Sequence, residues 1–172
     1  RDAWRAKLGL TDGAGRADAV AVDAVVEEWL AMLGDDAPDH TLAHRALTLV
    51  AAADAKEGRD GGSPDTAEDA LLARFSDDDR AREWLAAWRE LSPDAESMRR
   101  SNPIYIPRNH LVEEALAAAG AADATQPRDM GPFHALLARI TAPYVPSDNP
   151  DDERYERPAP AEFGGYTTYC GT

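Results

Sequence analysis

The sequence has one cysteine, few basic residues and no long apolar run, and each scarcity excludes a class of protein. A single cysteine, Cys170, excludes an internal disulfide framework and favours a reducing compartment, so we expect a cytoplasmic protein. The 18 lysines and arginines stand against 32 aspartates and glutamates, a net charge of −14. This charge repels phosphate backbones and anionic lipids, so we expect neither nucleic acid nor a membrane as partner.

Transmembrane and targeting segments are also not expected. No apolar run approaches the roughly 20 residues that a bilayer-spanning helix needs. The N-terminal stretch RDAWRAKLGL has the pattern of neither a signal peptide nor a transit peptide. Its Trp4 and Leu8, followed by Gly9, predict the last turn of a helix whose first half would precede the chain.

Apolar residues recur at helical spacing through most of the chain, which predicts an all-α fold. The clearest stripes fall in predicted helices over 18–33, 42–53 and 78–91. We expect Gly34 to end the first of these and the first two to pack as a helical hairpin. Strict alternation of apolar and polar residues never lasts long enough to predict a sheet.

The composition predicts one helical domain over 1–142 and an irregular tail over 143–172. Inside the domain, residues 56–66 contain three glycines, a proline and no apolar residue, so they are predicted to be a mobile loop. A short helix is expected to begin at Ser92-Pro93, and another helix is predicted over 131–141. Beyond it, five prolines oppose further regular structure.

The most distinctive local pattern is SNPIYIPRNHLVEEALAAAG, residues 101–120. Pro103 is expected to hold Asn102 in an extended conformation, and Pro107 precedes a helix over 108–119. Within this block, Arg108, Asn109 and His110 are candidate catalytic residues. We interpret them as structural, since Asn109 can bind main-chain groups and Arg108 can pair with a carboxylate.

Two further patterns resemble metal sites. His40 and His44 are four residues apart and could share a zinc ion on one helix face, but no other ligands accompany them. The acidic run 77–79 resembles a cation site, yet it precedes a predicted helix, where carboxylates cap free amides. We therefore predict a packing role for the histidines and a capping role for the acidic run.

No catalytic residue is predicted in this chain. It contains no glycine-rich phosphate loop, no kinase signature and no G-x-S-x-G motif for a serine nucleophile. Cys170 is the one remaining candidate, because it lies third from the end in GGYTTYCGT. It is either an exposed thiol without function or a group that a glycine-flanked tail can deliver to a partner.

Several blocks together resemble the C-terminal part of the SelO family, also called YdiU. These blocks occur in the family's order along the whole chain: KLGL at 7–10, PDHTLAHRAL at 38–47, WLAAWREL at 84–91, SNPIYIPRNHLVEEAL at 101–116, PFHALLARITAPY at 132–144, YERPAP at 155–160 and the terminal CGT. The block that begins at Ser101 and the cysteine third from the end are the most specific of them.

The resemblance implies a kinase-like (pseudokinase) parent protein that transfers AMP from ATP to hydroxyl side chains of protein substrates, with Mg²⁺ or Mn²⁺. The nucleotide-binding, metal-binding and catalytic residues of that family lie upstream of the region that this chain matches. The expected partner of this helical segment is thus the upstream kinase-like domain. Cys170 matches a family position that can form a disulfide near the activation loop, which implies a redox switch.

A second hypothesis comes from a different class of function. The chain could act alone as an acidic helical interaction module, without enzymatic activity. Its binding surface would be the face that carries Trp84 and Trp88, or the acidic surface as a whole.

Overall fold

The computed structural model describes residues 2–10, 19–60, 65–120 and 128–163. All regular structure in these ranges is helical, which confirms the predicted all-α class for the described part of the chain. The contacts divide the chain into two compact units, Arg1–Pro103 and Ile104–Thr172. The sequence-based division instead has one helical domain over 1–142. The observed division lies at the extended Asn102-Pro103 step, where the preceding helix cannot continue.

The first unit contains helices of very different lengths. They are α1 Asp2–Lys7, α2 Ala19–Asp36, α3 His40–Asp60, α4 Asp65–Leu72, α5 Asp78–Glu90 and α6 Ala95–Ser101. The second unit contains α7 Asn109–Gly120, α8 Gly131–Ile140 and two 3₁₀ helices, Pro150–Tyr155 and Ala161–Phe163.

Several helix ends differ from the prediction. Gly34 does not end α2, which continues to Asp36 and is followed by Ala37 in the left-handed region at φ 44°. Helix α3 continues to Asp60, so the first part of the predicted loop over 56–66 is helical; residues 61–64 lie outside the described part. Helix α6 begins at Ala95 rather than at Ser92-Pro93, because the Asp94 carboxylate caps it by accepting from the Glu96 amide at 2.9 Å.

The pairing of helices also differs from the predicted α2–α3 hairpin. Helix α3 packs mainly on α4 and α6, while α2 packs mainly on α5. The stripe on α5 accounts for this arrangement, since Trp84 inserts against α2 and donates its indole N–H to the Val25 carbonyl at 2.9 Å. Helices α2 and α3 still meet through Trp29 and His44.

The core of the first unit is built around three stacked tryptophans. Trp29 lies 4.6 Å from Trp84 between ring centroids, and Trp84 lies 5.9 Å from Trp88. Trp88 is fully buried and donates its indole N–H to the Leu8 carbonyl at 2.9 Å. The predicted stripe on α5 is therefore confirmed, but the proposed binding face of Trp84 and Trp88 is wrong, because both rings are buried in the core.

His44 completes this core as a buried polar group. Its Nε2 accepts the Trp29 indole N–H at 3.1 Å, and its Nδ1 lies 2.6 Å from the His40 carbonyl oxygen. An indole can only donate and a carbonyl can only accept, so the proton of the neutral ring is on Nδ1. Burial lowers the pKa of His44 to about 4.

The second unit has a smaller core and includes much of the predicted tail. In this tail, Tyr155 is buried beside Leu111 and Leu136, and the Arg154 guanidinium pairs with Glu114 of α7. The Ile104 amide donates to the Pro143 carbonyl at 2.6 Å. The expectation of wholly irregular structure after the prolines is wrong for Pro150–Tyr155, because proline is accommodated in the first turn of this short helix.

No helix in the described ranges is both long enough and apolar enough to cross a bilayer.

Gly9 is at a position that only glycine fits, and we expect Gly9→Ala to destabilise the first unit. Its φ is +72°, and an added Cβ would lie 2.8 Å from the Asp94 amide nitrogen and 2.9 Å from Met98 Cγ. Left-handed strain and overpacking together predict a loss of about 2 to 4 kcal/mol in urea unfolding. Gly34→Ala is the matched control: it lies inside α2 with open space around it, and we expect a gain of about 0.5 to 1 kcal/mol. Equal effects of the two changes would show that neither the φ of Gly9 nor its close neighbours constrain the residue.

Because His44 is buried and its pKa is lowered, we expect the free energy of unfolding to fall on mild acidification. The unfolded ring takes up a proton below its ordinary pKa of about 6.5, whereas the folded ring resists until about pH 4. Between these pH values the unfolded state binds more protons than the folded state. The stabilisation from the neutral His44 ring is therefore complete above about pH 6.5. Up to about 3 kcal/mol of the free energy of unfolding is lost by pH 4.

Urea unfolding across this pH range measures the effect. We expect His44→Gln to flatten the pH dependence, because the amide can accept from Trp29 but does not titrate. His40→Gln changes an exposed ring of the same helix and is expected to keep the wild-type slope. An unchanged slope in His44→Gln would show that the buried ring does not cause the acid sensitivity.

Candidate functional site

The two histidines considered for zinc do not form a site. Both ring nitrogens of His44 are engaged, Nε2 with Trp29 and Nδ1 with the His40 carbonyl, so neither is available to a metal while these bonds persist. The His40 ring centroid lies 6.5 Å from that of His44. Across the ranges that the structure describes, no three histidine, cysteine or acidic side chains are grouped closely enough to hold a metal ion. The packing role predicted for His44 is confirmed by its hydrogen bonds.

The acidic run 77–79 caps a helix, as predicted. The Asp77 side chain accepts from the Arg80 amide at 2.9 Å, and Asp78 and Asp79 occupy the first turn of α5. These carboxylates complement the positive end of the helix dipole. Arg82, one turn further along, lies 3.6 Å from Asp78 and 3.9 Å from Asp79. The run is thus part of the architecture of α5.

The block after Pro107 is tied to the second unit. Arg108 donates from its guanidinium to the Glu156 carbonyl at 3.2 Å, and Asn109 is exposed at the start of α7. The His110 ring contacts Phe163, with ring centroids 5.8 Å apart. Burial, followed by the positive charges of Arg108 and Arg154, lowers the pKa of His110. These contacts support the structural interpretation of Arg108 and His110.

Asn102 is the most important polar residue of this block, although the sequence pattern did not single it out. Its side chain is almost fully buried and donates to the Lys7 carbonyl at 2.8 Å and to the Thr48 hydroxyl at 3.0 Å. Thr48 in turn donates to the His44 carbonyl at 2.7 Å. Asn102 thereby joins the end of α6 to α1 and α3. The available signal was an asparagine held extended by Pro103, which leaves its side chain as the group that can bind neighbouring helices.

A cavity in the first unit lies beside Arg89. It has a volume of about 610 Å³ and is lined by Ala51, Asp54, Ala55, Glu68, Arg89, Ser92 and Pro93. The guanidinium is already paired, with Asp54 at 2.8 Å and Glu68 at 2.9 Å. The hydrogen bond with Asp54 raises the pKa of Arg89, which keeps it charged. One cation against two carboxylates leaves a net negative lining, so the cavity does not favour an anionic ligand.

A second, apolar groove lies in the second unit between α7 and α8. Its volume is about 200 Å³, and its lining consists of Val112, Ala115, Leu116, Phe133, Leu136, Leu137 and Ile140. The sequence predicts Phe133, Leu136, Leu137 and Ile140 to face inward. Only Leu136 is buried; Phe133 and Leu137 remain 37% and 41% exposed, because α7 covers just one side of α8. The groove is suited to apolar side chains.

Cys170, the predicted redox switch, lies outside the described residues, which end at 163. Its role therefore remains a prediction. The polar groups described above bind partners within their own unit.

Asn102 generates a stability prediction with a control in the same block. Asn102→Ala removes both donated hydrogen bonds and leaves the Lys7 carbonyl without this donor, so we expect a loss of about 1 to 3 kcal/mol. Asn109→Ala changes an exposed side chain, and we expect a change within about 0.5 kcal/mol. Urea unfolding monitored by tryptophan fluorescence measures both. A larger loss of stability in Asn109→Ala than in Asn102→Ala would contradict the structural role assigned to Asn102.

Comparison with known proteins reveals a consistent set of relatives, although no family model matches the chain. The protein nucleotidyltransferase YdiU of Mycolicibacterium paratuberculosis is 44% identical over 168 residues, which cover 98% of this chain and 30% of that protein. The YdiU protein of Pseudarthrobacter chlorophenolicus is 42% identical over 96% of this chain and 30% of its own length. That of Chromobacterium violaceum is 40% identical over 98% of this chain and 32% of its own length.

The chain thus spans about 30% of the length of the curated relatives it matches. The resemblance inferred from the motifs, including the blocks at 38–47 and 101–116, is confirmed by similarity that runs through nearly the whole chain. The chain belongs to the protein nucleotidyltransferase YdiU family, of which it represents a C-terminal part.

Proposed function

We propose that this chain is the helical scaffold of a protein nucleotidyltransferase that transfers AMP from ATP to serine, threonine or tyrosine hydroxyls of protein substrates. In this reaction, the hydroxyl oxygen attacks the α-phosphorus, pyrophosphate leaves and the hydroxyl proton passes to a base. One observation carries the proposal: nearly the whole chain is similar to proteins named nucleotidyltransferases, yet it covers only about 30% of their length.

The described residues of this chain do not fit ATP with Mg²⁺ or Mn²⁺. No cluster of three acidic, histidine or cysteine side chains is found in the described ranges. The cavity beside Arg89 has a net negative lining, since Asp54 and Glu68 outweigh the one guanidinium, and it would repel a triphosphate. We propose that the nucleotide, the metal and the catalytic residues lie in a kinase-like part of the protein that this chain does not span.

The contacts of the first unit support a scaffold role. Its helices are joined by buried polar bonds, such as those of Asn102, and by ion pairs between helices. Arg80 of α5 is an example, because it lies 2.6 Å from Glu28 and 2.7 Å from Asp35, both on α2. The alternative was a separate interaction module with Trp84 and Trp88 on its binding surface. Both rings are buried in the core, so they cannot form that surface.

We propose further that Cys170 is a redox switch of this enzyme. The chain has no second cysteine, so a disulfide partner within the same protein would have to lie in the part that this chain does not span. Formation of the disulfide joins two thiols and passes two electrons and two protons to an oxidant such as a peroxide. A reducing compartment such as the cytoplasm would keep the thiol form as the default.

The test is AMP transfer by the longer protein that contains this sequence. We expect intact mass analysis after incubation with Mg-ATP and a protein substrate to show added AMP, with transfer enhanced by a thiol reductant. The isolated chain, incubated alone with Mg-ATP, is expected to gain no mass. AMP on the isolated chain would place catalytic groups in it, and no transfer by the longer protein would refute the proposed activity.

Cys170→Ser separates the switch from the activity. In the longer protein, we expect this variant to transfer AMP whether or not reductant is present. Its rate should equal that of the wild-type protein whose Cys170 is in the thiol form. Serine keeps the size of the side chain but cannot form a disulfide, so the insensitivity would identify Cys170 as the switch. A variant that still responds to reductant would show that another cysteine causes the redox response.

A further inference from the structure

Exposed large apolar side chains are concentrated in the second unit. Of the eight such residues among those that the structure describes, only Val20 and Leu49 belong to the first unit. The others are Leu116, Met130, Phe133, Leu137, Tyr144 and Val145. Isolated exposed apolar residues are common on protein surfaces, whereas a contiguous group in a groove marks an interaction site.

The groove between α7 and α8 brings three of these residues together. Leu116 of α7 is 55% exposed, and Phe133 and Leu137 of α8 are 37% and 41% exposed. Every lining side chain described for the groove is apolar, so it offers no hydrogen bond or charge to a ligand. Its chemistry fits a ridge of aliphatic or aromatic side chains and excludes a charged small molecule.

The second unit also has little buried core of its own. Its described apolar cluster consists of five buried residues, Tyr105, Leu111, Ala115, Leu136 and Tyr155, while the first unit buries a much larger set. Helix α8 buries a single residue, Leu136. A unit with so small a core is expected to gain stability by covering its apolar face with another surface.

We infer that the α7–α8 groove is the surface on which the rest of the same polypeptide packs. This inference rests on the proposed function, since it assigns the contact between the scaffold and the nucleotide-binding part. The lengths of the relatives support the rest of the polypeptide as the segment that covers the groove. This chain matches 30% of each relative, so about 70% (100 minus 30) lies outside the matching region. A covalently linked segment also has a high effective concentration at the groove, which a separate partner lacks.

Cysteine labelling tests this occupant directly. Leu137→Cys and the control Ala117→Cys are introduced into Cys170→Ser, both in this chain and in the longer protein that contains it. Ala117 is exposed on α7 but does not line the groove. Maleimide labelling is followed by peptide mass spectrometry, which reads only the engineered site. We expect Leu137→Cys to label about tenfold or more slowly in the longer protein than in this chain, because the groove is covered there.

Each outcome decides the inference. Ala117→Cys is expected to label at similar rates in both proteins. Equal labelling of Leu137→Cys in the two proteins would overturn the inference, as would protection in the isolated chain that increases with its concentration and so indicates a second copy. Leu116→Cys repeats the test from the opposite wall of the groove, in case Leu137→Cys disturbs folding.

The labelling does not depend on AMP transfer, so the two proposals can fail separately. A protected Leu137→Cys in a protein that transfers no AMP would refute the activity and support the docking surface. An accessible Leu137→Cys in an active protein would refute the docking surface alone.

Discussion

The buried tryptophans impose the strictest constraint on the first unit, because each indole N–H must find an acceptor away from water. Trp84 finds one in the main chain of α2, Trp88 in the Leu8 carbonyl after α1, and Trp29 in the His44 ring on α3. The bonds of Trp84 and Trp29 each join two helices, and that of Trp88 joins α5 to the residue after α1. The stacked rings and their three acceptors therefore determine the arrangement of α1, α2, α3 and α5.

Arginines add a second set of contacts between these helices. Arg5 of α1 lies 2.6 Å from Asp23 of α2, Arg80 joins α5 to α2, and Arg89 joins α5 to α3 and α4. Pairs at least partly open to water contribute little free energy, so their main effect is to favour one set of helix neighbours. In a chain with net charge −14, such arginines also reduce repulsion between acidic helices.

The two units differ in how completely they bury their apolar residues. The first has a large core and polar bonds such as those of Asn102, features that suit a rigid support. The second leaves Leu116 and Leu137 exposed along a groove, which suits a surface that another part of the protein covers. Both features fit the proposed scaffold role of a chain that spans about 30% of the length of its relatives.

The sequence by itself determined the helical class, the capping run at 77–79, the apolar stripe of α5 and the family, because periodicity, caps and motifs are local in the chain. Only the tertiary structure decided which helices pair, that Trp84 and Trp88 are core, and that Asn102 rather than Asn109 is buried. An amphipathic stripe shows that a face must be covered but does not identify the helix that covers it. The exposure of Phe133 and Leu137 has the same cause, since burial depends on what packs against α8 and the local pattern does not contain that information.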